Sequence, residues 1–130
     1  MIIRPTLKVY EKVKFPELSD DFVLAKIDTG ADSGALHASN IKIINRHGRY
    51  HISFKPFSSK KTIWIDNFAV KYVKSSNGEK QQRFFIHTYI YIKGSKRKIT
   101  ISLTDRSNMN YEVIIGRKFL RGKFLVDPSD

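Results

Sequence analysis

The sequence predicts an all-β domain whose sheet closes or folds over on itself, and three observations predict it. Apolar and polar residues alternate over short segments, and turn-forming residues separate those segments. No segment has the length and 3.6-residue period of a major helix.

Residues 7–15 read as a first strand, stopped by Pro16, which cannot donate to a ladder. Residues 22–27 form an apolar strand that runs straight into Asp28-Thr29-Gly30. Residues 41–45 and 50–54 pair as a hairpin around Arg46-His47-Gly48. Residues 70–74 and 83–93 form another, turning at Ser76-Asn77-Gly78, where Asn-Gly is a strong turn signal. In its second arm Phe84, Ile86, Thr88, Ile90 and Ile92 share one face, and Phe85, His87, Tyr89 and Tyr91 share the other. Gly94-Ser95 turns the chain into residues 99–103, whose Ile99, Ile101 and Leu103 supply a matching core face. Residues 112–115 then read as a strand, 116–120 as one or two helical turns, and 124–126 as a closing strand. Closure of such a sheet limits its exposed edges.

The 130 residues predict one domain over 1–130, long enough to fold without a staple. There is no cysteine, which excludes a disulfide scaffold, thiolate chemistry and Cys-ligated zinc. Met1-Ile2-Ile3-Arg4-Pro5 lacks the apolar run of a signal peptide, and no stretch reaches transmembrane length. The expectation is a soluble cytoplasmic protein with no membrane partner. The formal net charge of +12 sets up a field that attracts polyanions, whether nucleic acid or acidic peptide.

Asp28-Thr29-Gly30 is the first candidate for chemistry. A carboxylate at a strand end, followed by a Gly that permits close backbone approach, is presented at the mouth of a barrel. The plain alternative is an Asx-type turn that caps the strand. Asp28-Thr29-Gly30-Ala31-Asp32 resembles the active-site loop of retroviral-type aspartic peptidases, and Ile114-Ile115-Gly116-Arg117 before Lys118-Phe119-Leu120 is similar to the second signature of that clan. The chain is more similar still to the bacterial family labelled ATP-dependent zinc proteases, itself regarded as retropepsin-like. That resemblance runs through Phe15-Pro16-Glu17-Leu18, then Ala25 to Ala31 and Ala35-Leu36-His37-Ala38. It continues in Val73-Lys74-Ser75-Ser76-Asn77-Gly78 and Leu103-Thr104-Asp105-Arg106 with Met109. The family's loop usually carries a basic residue and then Thr-Ser where this chain has Asp32-Ser33-Gly34, a departure toward the retroviral pattern.

The residues themselves do not support the label's metal or nucleotide. There is no His-Glu-x-x-His and no Gly-rich loop with Lys. His47 and His51 stand four apart in a turn and strand, which does not bring such a pair together as a helix would. His37 and His87 read as lone strand histidines. No metal and no cofactor are expected.

The resemblance implies a retropepsin-like closed (acid protease) barrel, one lobe, with a short helix near the C-terminus. It implies catalysis by Asp28, Thr29 and Gly30, with Ala31 and Asp32 contacting substrate backbone. Ile115, Gly116 and Arg117 would support the loop, with Arg117 paired to Asp32 as a partly buried bidentate pair beneath the site. A flap hairpin from about residue 72 to 84 would bring Ser76, Asn77 and Gly78 to the substrate. Two facing carboxylates must share a proton in this chemistry, so the second Asp28 would come from another copy across a two-fold axis. Thr29 would bond across that dyad. Members of the family often accompany glutamate ligases of the ATP-grasp type, which implies acidic peptide tails as substrates and suits the basic charge.

Residues 41–54 and the segment around Trp64 would be additional to the minimal retroviral lobe, and Trp64 is expected to be a core or packing anchor and not a substrate residue. Two other readings stand beside the peptidase. One is a catalytically silent retropepsin-like binding module, since fold does not guarantee function. The other is a basic nucleic-acid-binding barrel, because Arg83, Phe85, His87, Tyr89, Tyr91 and Lys93 interleave rings and charges, with Lys96-Arg97-Lys98 nearby. The reading favoured for that face is an aromatic surface half-buried against another strand or a dimer partner.

Overall fold

The computed structural model describes residues 3–74, 77–105 and 110–129. Ser75, Ser76, Arg106 and Met109, singled out above, lie outside the described residues. In chain order come β1 (Thr6–Leu7), β2 (Tyr10–Lys14), β3 (Val23–Ile27), β4 (Ala35–Arg46), β5 (Arg49–Pro56) and β6 (Ile63–Ile65). They are followed by β7 (Phe68–Lys74), β8 (Lys80–Ile92), β9 (Ser95–Thr104), β10 (Val113–Ile115), α1 (Arg117–Leu120) and β11 (Leu125–Val126).

The class is all-β, as expected, and the sheet closes. β3, β2, β8, β9 and β4 follow one another, and β10 joins the two ends. It runs parallel to β3, with Val113 opposite Ala25 and Ile115 opposite Ile27, and antiparallel to β4, with Val113 opposite Leu36. Closure satisfies backbone groups that an open edge would leave unpaired. Phe15, Leu36, Ile86, Ile90, Ile101 and Ile115 are fully buried inside. Each such side chain contributes about 1.5–3 kcal/mol by leaving water.

The Phe15-Pro16-Glu17-Leu18 segment plugs one end of the barrel. Its turn is held by Leu18 and Ser19 N–H groups donating to the Phe15 carbonyl at 2.9 and 3.0 Å. Phe15 and Leu18 are buried. Glu17 accepts a 2.6 Å hydrogen bond from the hydroxyl of buried Thr88, which satisfies a polar group on the core face of β8.

Two differences from the sequence expectation shape the fold. The first strand divides into β1 and β2, because β1 leaves the barrel to pair in parallel with β11, Leu7 opposite Val126. That partner lies at the other end of the chain, where local pattern has no reach. β4 begins at Ala35 rather than 41, since its first half pairs with β9 and β10 before a bulge between Ser39 and Lys42. Asn40, at φ 54°, stands inside that bulge and bends the strand away from the barrel. β4, β5 and β6 then form an arm whose Ile52 and Phe54 are buried in the core, and its tip is a two-residue turn at His47 and Gly48, both at positive φ.

Of the two expectations for Trp64, the structure supports a packing anchor and not a core one. It lies on β6 of the arm, 41% exposed, with the Arg46 guanidinium 4.3 Å from its ring centroid and the His51 ring edge-on at 6.2 Å. An exposed cation–ring contact is worth about 0.5–1 kcal/mol. Trp64→Ala is therefore expected to cost about 1 kcal/mol, well below the 3–5 kcal/mol or so of emptying a core site. The urea midpoint measures it.

Candidate active site

The strand β3 ends at Ile27 and delivers Asp28 half-buried into a loop whose Thr29 and Gly30 are exposed. The Asp28 N–H donates to the Ile115 carbonyl at 2.9 Å, so the loop begins on β10. The Gly30 N–H donates to Asp28 Oδ1 at 3.0 Å, and the Ala31 N–H to the Asp28 carbonyl at 3.2 Å. The turn thus orients the carboxylate with its own backbone. This is the Asx-type geometry named as the plain alternative, and it also presents a carboxylate.

The second half of the loop caps the helix. A helix leaves its first N–H groups without intrahelical partners, and α1 has no side-chain cap at Gly116. The Ala31 and Asp32 carbonyls accept from the Arg117 and Lys118 N–H groups at 2.8 and 3.1 Å. Arg117 Nη1 also donates to the Gly30 carbonyl at 3.1 Å. Two loop carbonyls and two helix donors so satisfy each other, and this junction is made by backbone groups alone.

Such contact requires bare backbone. A Cβ on Gly116 would stand 2.7 Å from the Ser33 carbonyl carbon and 2.9 Å from both the Ala31 and Asp32 oxygens. A Cβ on Gly34 would stand 2.4 Å from the Ile114 oxygen. The Gly34 carbonyl accepts from both the hydroxyl and the N–H of buried Ser102, at 2.9 and 3.2 Å. Sequence reading did not assign Gly34 or Ser102 to the site. The available signal was a glycine closing the loop before a strand. Ser102 gave none, because on an alternating strand it reads as a solvent-facing position.

Asp28, Gly30, Ala31 and Asp32 therefore meet Ile115, Gly116 and Arg117 across the loop. Asn77 and Gly78 belong to a separate element, the turn between β7 and β8, with Gly78 at φ 86°, and none of the bonds fixing the loop comes from them. The Asp32–Arg117 contact forms, but not as the expected partly buried bidentate pair. Asp32 gives one oxygen to Arg117 at 3.3 Å and the other to Lys118 at 3.1 Å, and both partners are well exposed. The second cation and the open surroundings divide the carboxylate and let water screen it.

Lys118, by hydrogen bond and charge, and then Arg117 and Arg121 by charge, hold the Asp32 carboxyl below its ordinary value of 3.8. A carboxyl lowered in the folded state adds stability above its unfolded value and loses it as pH falls through the folded value. Asp32→Asn is expected to flatten, slightly, the acid limb of the unfolding-temperature curve below about pH 4. Thermal melts of both proteins across that range measure the difference.

A cleft of ≈ 740 Å³ opens beside the loop between Ser33, Gly34 and Gly116 on one wall and Lys71, Phe85 and His87 on the other. Asp28 is not among its lining residues, so cavity size does not locate the carboxylate. His87 Nδ1 is 2.7 Å from the Thr100 hydroxyl, and His37 Nδ1 is 3.6 Å from Asp105. Among the described residues, no group of three or more His, Cys, Asp or Glu side chains stands together as a metal site. Nor is any helix among them long and apolar enough to cross a membrane.

A closed barrel, a strand inserted between β3 and β4, and an Asp-Thr-Gly loop fixed on that strand together define a retropepsin-like domain. The chain belongs to the RimB-like family, described as retropepsin-like aspartic endopeptidase RimB, whose model matches residues 6–130. It is similar to a probable alpha-L-glutamate ligase of Shewanella pealeana, 34% identical over 122 residues, covering 89% of this chain and 27% of that protein. A protein of the same description from Desulfotalea psychrophila is 27% identical over 129 residues, covering 92% and 27%. The chain thus spans about a quarter of the length of these curated relatives. A crystal structure of a Legionella pneumophila protein of unknown function superposes with a TM-score of 0.76 at 26% identity, covering 95% of this chain and 93% of that one.

Proposed function

We propose that the chain is an aspartic endopeptidase, active as a homodimer, that hydrolyses acidic peptide segments with one Asp28 from each copy. The observation that carries this reading is Asp28 itself: a half-buried carboxylate at a strand end, held by a loop that is bonded at both ends to β10 and α1. Two such carboxylates facing each other share one proton, since like charges that close cannot both ionise. The ionised member takes a proton from a water, whose oxygen attacks the scissile carbonyl carbon. The protonated member donates a hydrogen bond to the carbonyl oxygen. Collapse of the tetrahedral adduct breaks the C–N bond, and the proton passes to the leaving nitrogen.

Two observations support an acidic substrate. The net charge is +12, and Arg117, Lys118 and Arg121 surround Asp32 at the edge of the loop. The relatives that contain this module are described as glutamate ligases, enzymes that join glutamate, so a glutamate-rich chain would be at hand for a neighbouring peptidase.

Cleavage of a Glu-rich peptide, measured per chain against protein concentration, tests the proposal. The specific rate is expected to fall on dilution as sedimentation shows the dimer dissociating, and KM to rise with salt. A specific rate that persists where only monomer sediments would refute the paired carboxylates. A KM indifferent to peptide charge and salt would refute the acidic substrate alone.

A further inference from the structure

The outward face of β8 divides into two parts. Phe85 is buried, with Lys71 Nζ 5.0 Å from its ring centroid, and so behaves as the packed aromatic surface expected from sequence. Further along, Tyr89 and Tyr91 sit opposite Lys98 and Lys96 of β9. Lys96 Nζ lies 4.8 Å from the Tyr89 ring and 5.8 Å from the Tyr91 ring. On the other side of Tyr91, Lys14 Nζ lies 5.7 Å from that ring and 5.5 Å from the ring of Phe22. Tyr89, Lys96, Tyr91, Lys14 and Phe22 therefore alternate ring and cation in one continuous row. The row is drawn from four separate segments of chain, β2, the residue before β3, β8 and β9, so it is not a by-product of alternation along one strand.

The row is open to solvent at Phe22 and Tyr91 and half-buried at Tyr89. Phe22 is 61% exposed and Tyr91 36%. A groove of ≈ 710 Å³ runs beside them, and Lys8, Lys12 and Lys93 add further cations to it. Glu11, the carboxylate in its lining, lies 3.8 Å from Lys93 Nζ, which offsets its charge.

We infer that this row is a binding strip for single-stranded nucleic acid, separate from the Asp28 loop. Exposed rings accept the faces of unpaired bases, and interleaved lysines accept the phosphates between them. Tyr89 and Tyr91, two residues apart on one strand face, stand about 6.6 Å apart along the strand. That is roughly twice the rise per nucleotide of a stacked strand, so each ring would take one splayed base. A duplex hides its base faces from such rings, and an acidic peptide would use the lysines while leaving the rings idle. The present cation–ring contacts are exposed and weak, and a phosphate draws each lysine off readily.

The position leaves the catalytic loop free. Phe22 precedes β3 and Asp28 follows it, which places them about 20 Å apart along the strand. Val13 is opposite both Val23 and Ile92, so Lys14, Phe22 and Tyr91 gather at the end of the barrel away from Asp28. The inference does not depend on the peptidase reading.

Fluorescence anisotropy with end-labelled dodecamers of uridine and of thymidine tests the strip. Both are expected to bind, with affinity falling as salt rises. The Phe22→Ala/Tyr91→Ala protein keeps its charge and, both side chains being exposed, its thermal stability. It is expected to bind about tenfold or more weakly with its salt slope unchanged. Phe22→Ala/Tyr91→Trp, which returns one of the two rings, should recover part of that loss. Lys60→Ala/Lys61→Ala, which removes two charges from the loop between β5 and β6, should change it less than about twofold. Asp28→Asn should bind as the wild type does. Tighter binding of the uridine strand would mark RNA as the source of the ligand, and equal binding would mark single strands of either kind. Unchanged binding by the ring variant, no binding at low salt, or equally tight binding of a Glu dodecamer would overturn the inference, the last in favour of an acidic protein.

Discussion

Asp28→Asn is expected to abolish hydrolysis while the protein stays folded. Asparagine cannot accept the proton of the attacking water or return one to the leaving nitrogen, and loss of such general acid–base transfer costs about a thousandfold or more in rate. The fold has little reason to change. Oδ1 of an Asn can still accept the Gly30 N–H that Asp28 accepts at 3.0 Å, and the backbone bond to Ile115 is untouched. The melting temperature should therefore move little, which separates lost chemistry from lost structure. Mixing gives a sharper result. If each active unit needs two Asp28 carboxylates, an equal mixture of wild-type and Asn chains keeps about a quarter of the activity, because only wild-type pairs work. Retention of half would show that a single chain suffices. Full activity of the homogeneous variant would remove Asp28 from the mechanism.

Gly116→Ala is expected to destabilise the protein by about 2–3 kcal/mol and to remove activity with it. The cause is steric, not conformational. Gly116 has φ −93° and ψ 173°, which any residue adopts, but its added Cβ would meet loop backbone at 2.7–2.9 Å. Backbone cannot rotate aside as a side-chain tip does. Either α1 moves off the loop, and the Ala31 and Asp32 carbonyls lose their helix donors, or the Asp28 turn itself shifts. The melting temperature should fall by about 6–12 °C. Gly48→Ala is the matching control: it stands at φ 82° with open space around its Cβ position. It should cost about 1 kcal/mol through backbone strain alone and leave hydrolysis intact. Equal effects of the two substitutions would show that the close approach at Gly116 does not hold the loop.

Much of the fold and part of the site could be read from the residues. The two faces of β8 separated as alternation predicted, with Ile86, Ile90 and Ile92 buried and His87 exposed. The hairpin turns fell at His47-Gly48, as expected, and at Lys93-Gly94, one residue before the expected Gly94-Ser95. Asp28-Thr29-Gly30 and Ile115-Gly116-Arg117 could be paired only by resemblance, since they lie more than 80 residues apart. Trp64 could be read only as a core or packing anchor, because large aromatic residues usually mark cores, while this one packs against Arg46 on the arm. Ser102 and Gly34 stayed hidden for a different reason. Their importance lies in one carbonyl oxygen, and backbone groups leave no mark in a side-chain pattern.

By itself the sequence determined the period of its strands, the places where they turn and the carboxylate at the end of one of them. These are local properties, set by which residues alternate, which tolerate positive φ and which are charged. Only the tertiary structure decided that β1 leaves β2 for β11, that β10 closes the barrel between β3 and β4, and that the Asp28 loop caps α1. It also decided that Phe85 is packed while Tyr89, Tyr91 and Phe22 share one row with Lys96 and Lys14. Each of these joins segments distant in the chain through backbone hydrogen bonds, side-chain contacts or space left by a missing Cβ. None of these causes is written at any one position of the sequence, and all act only once the barrel has brought the segments together.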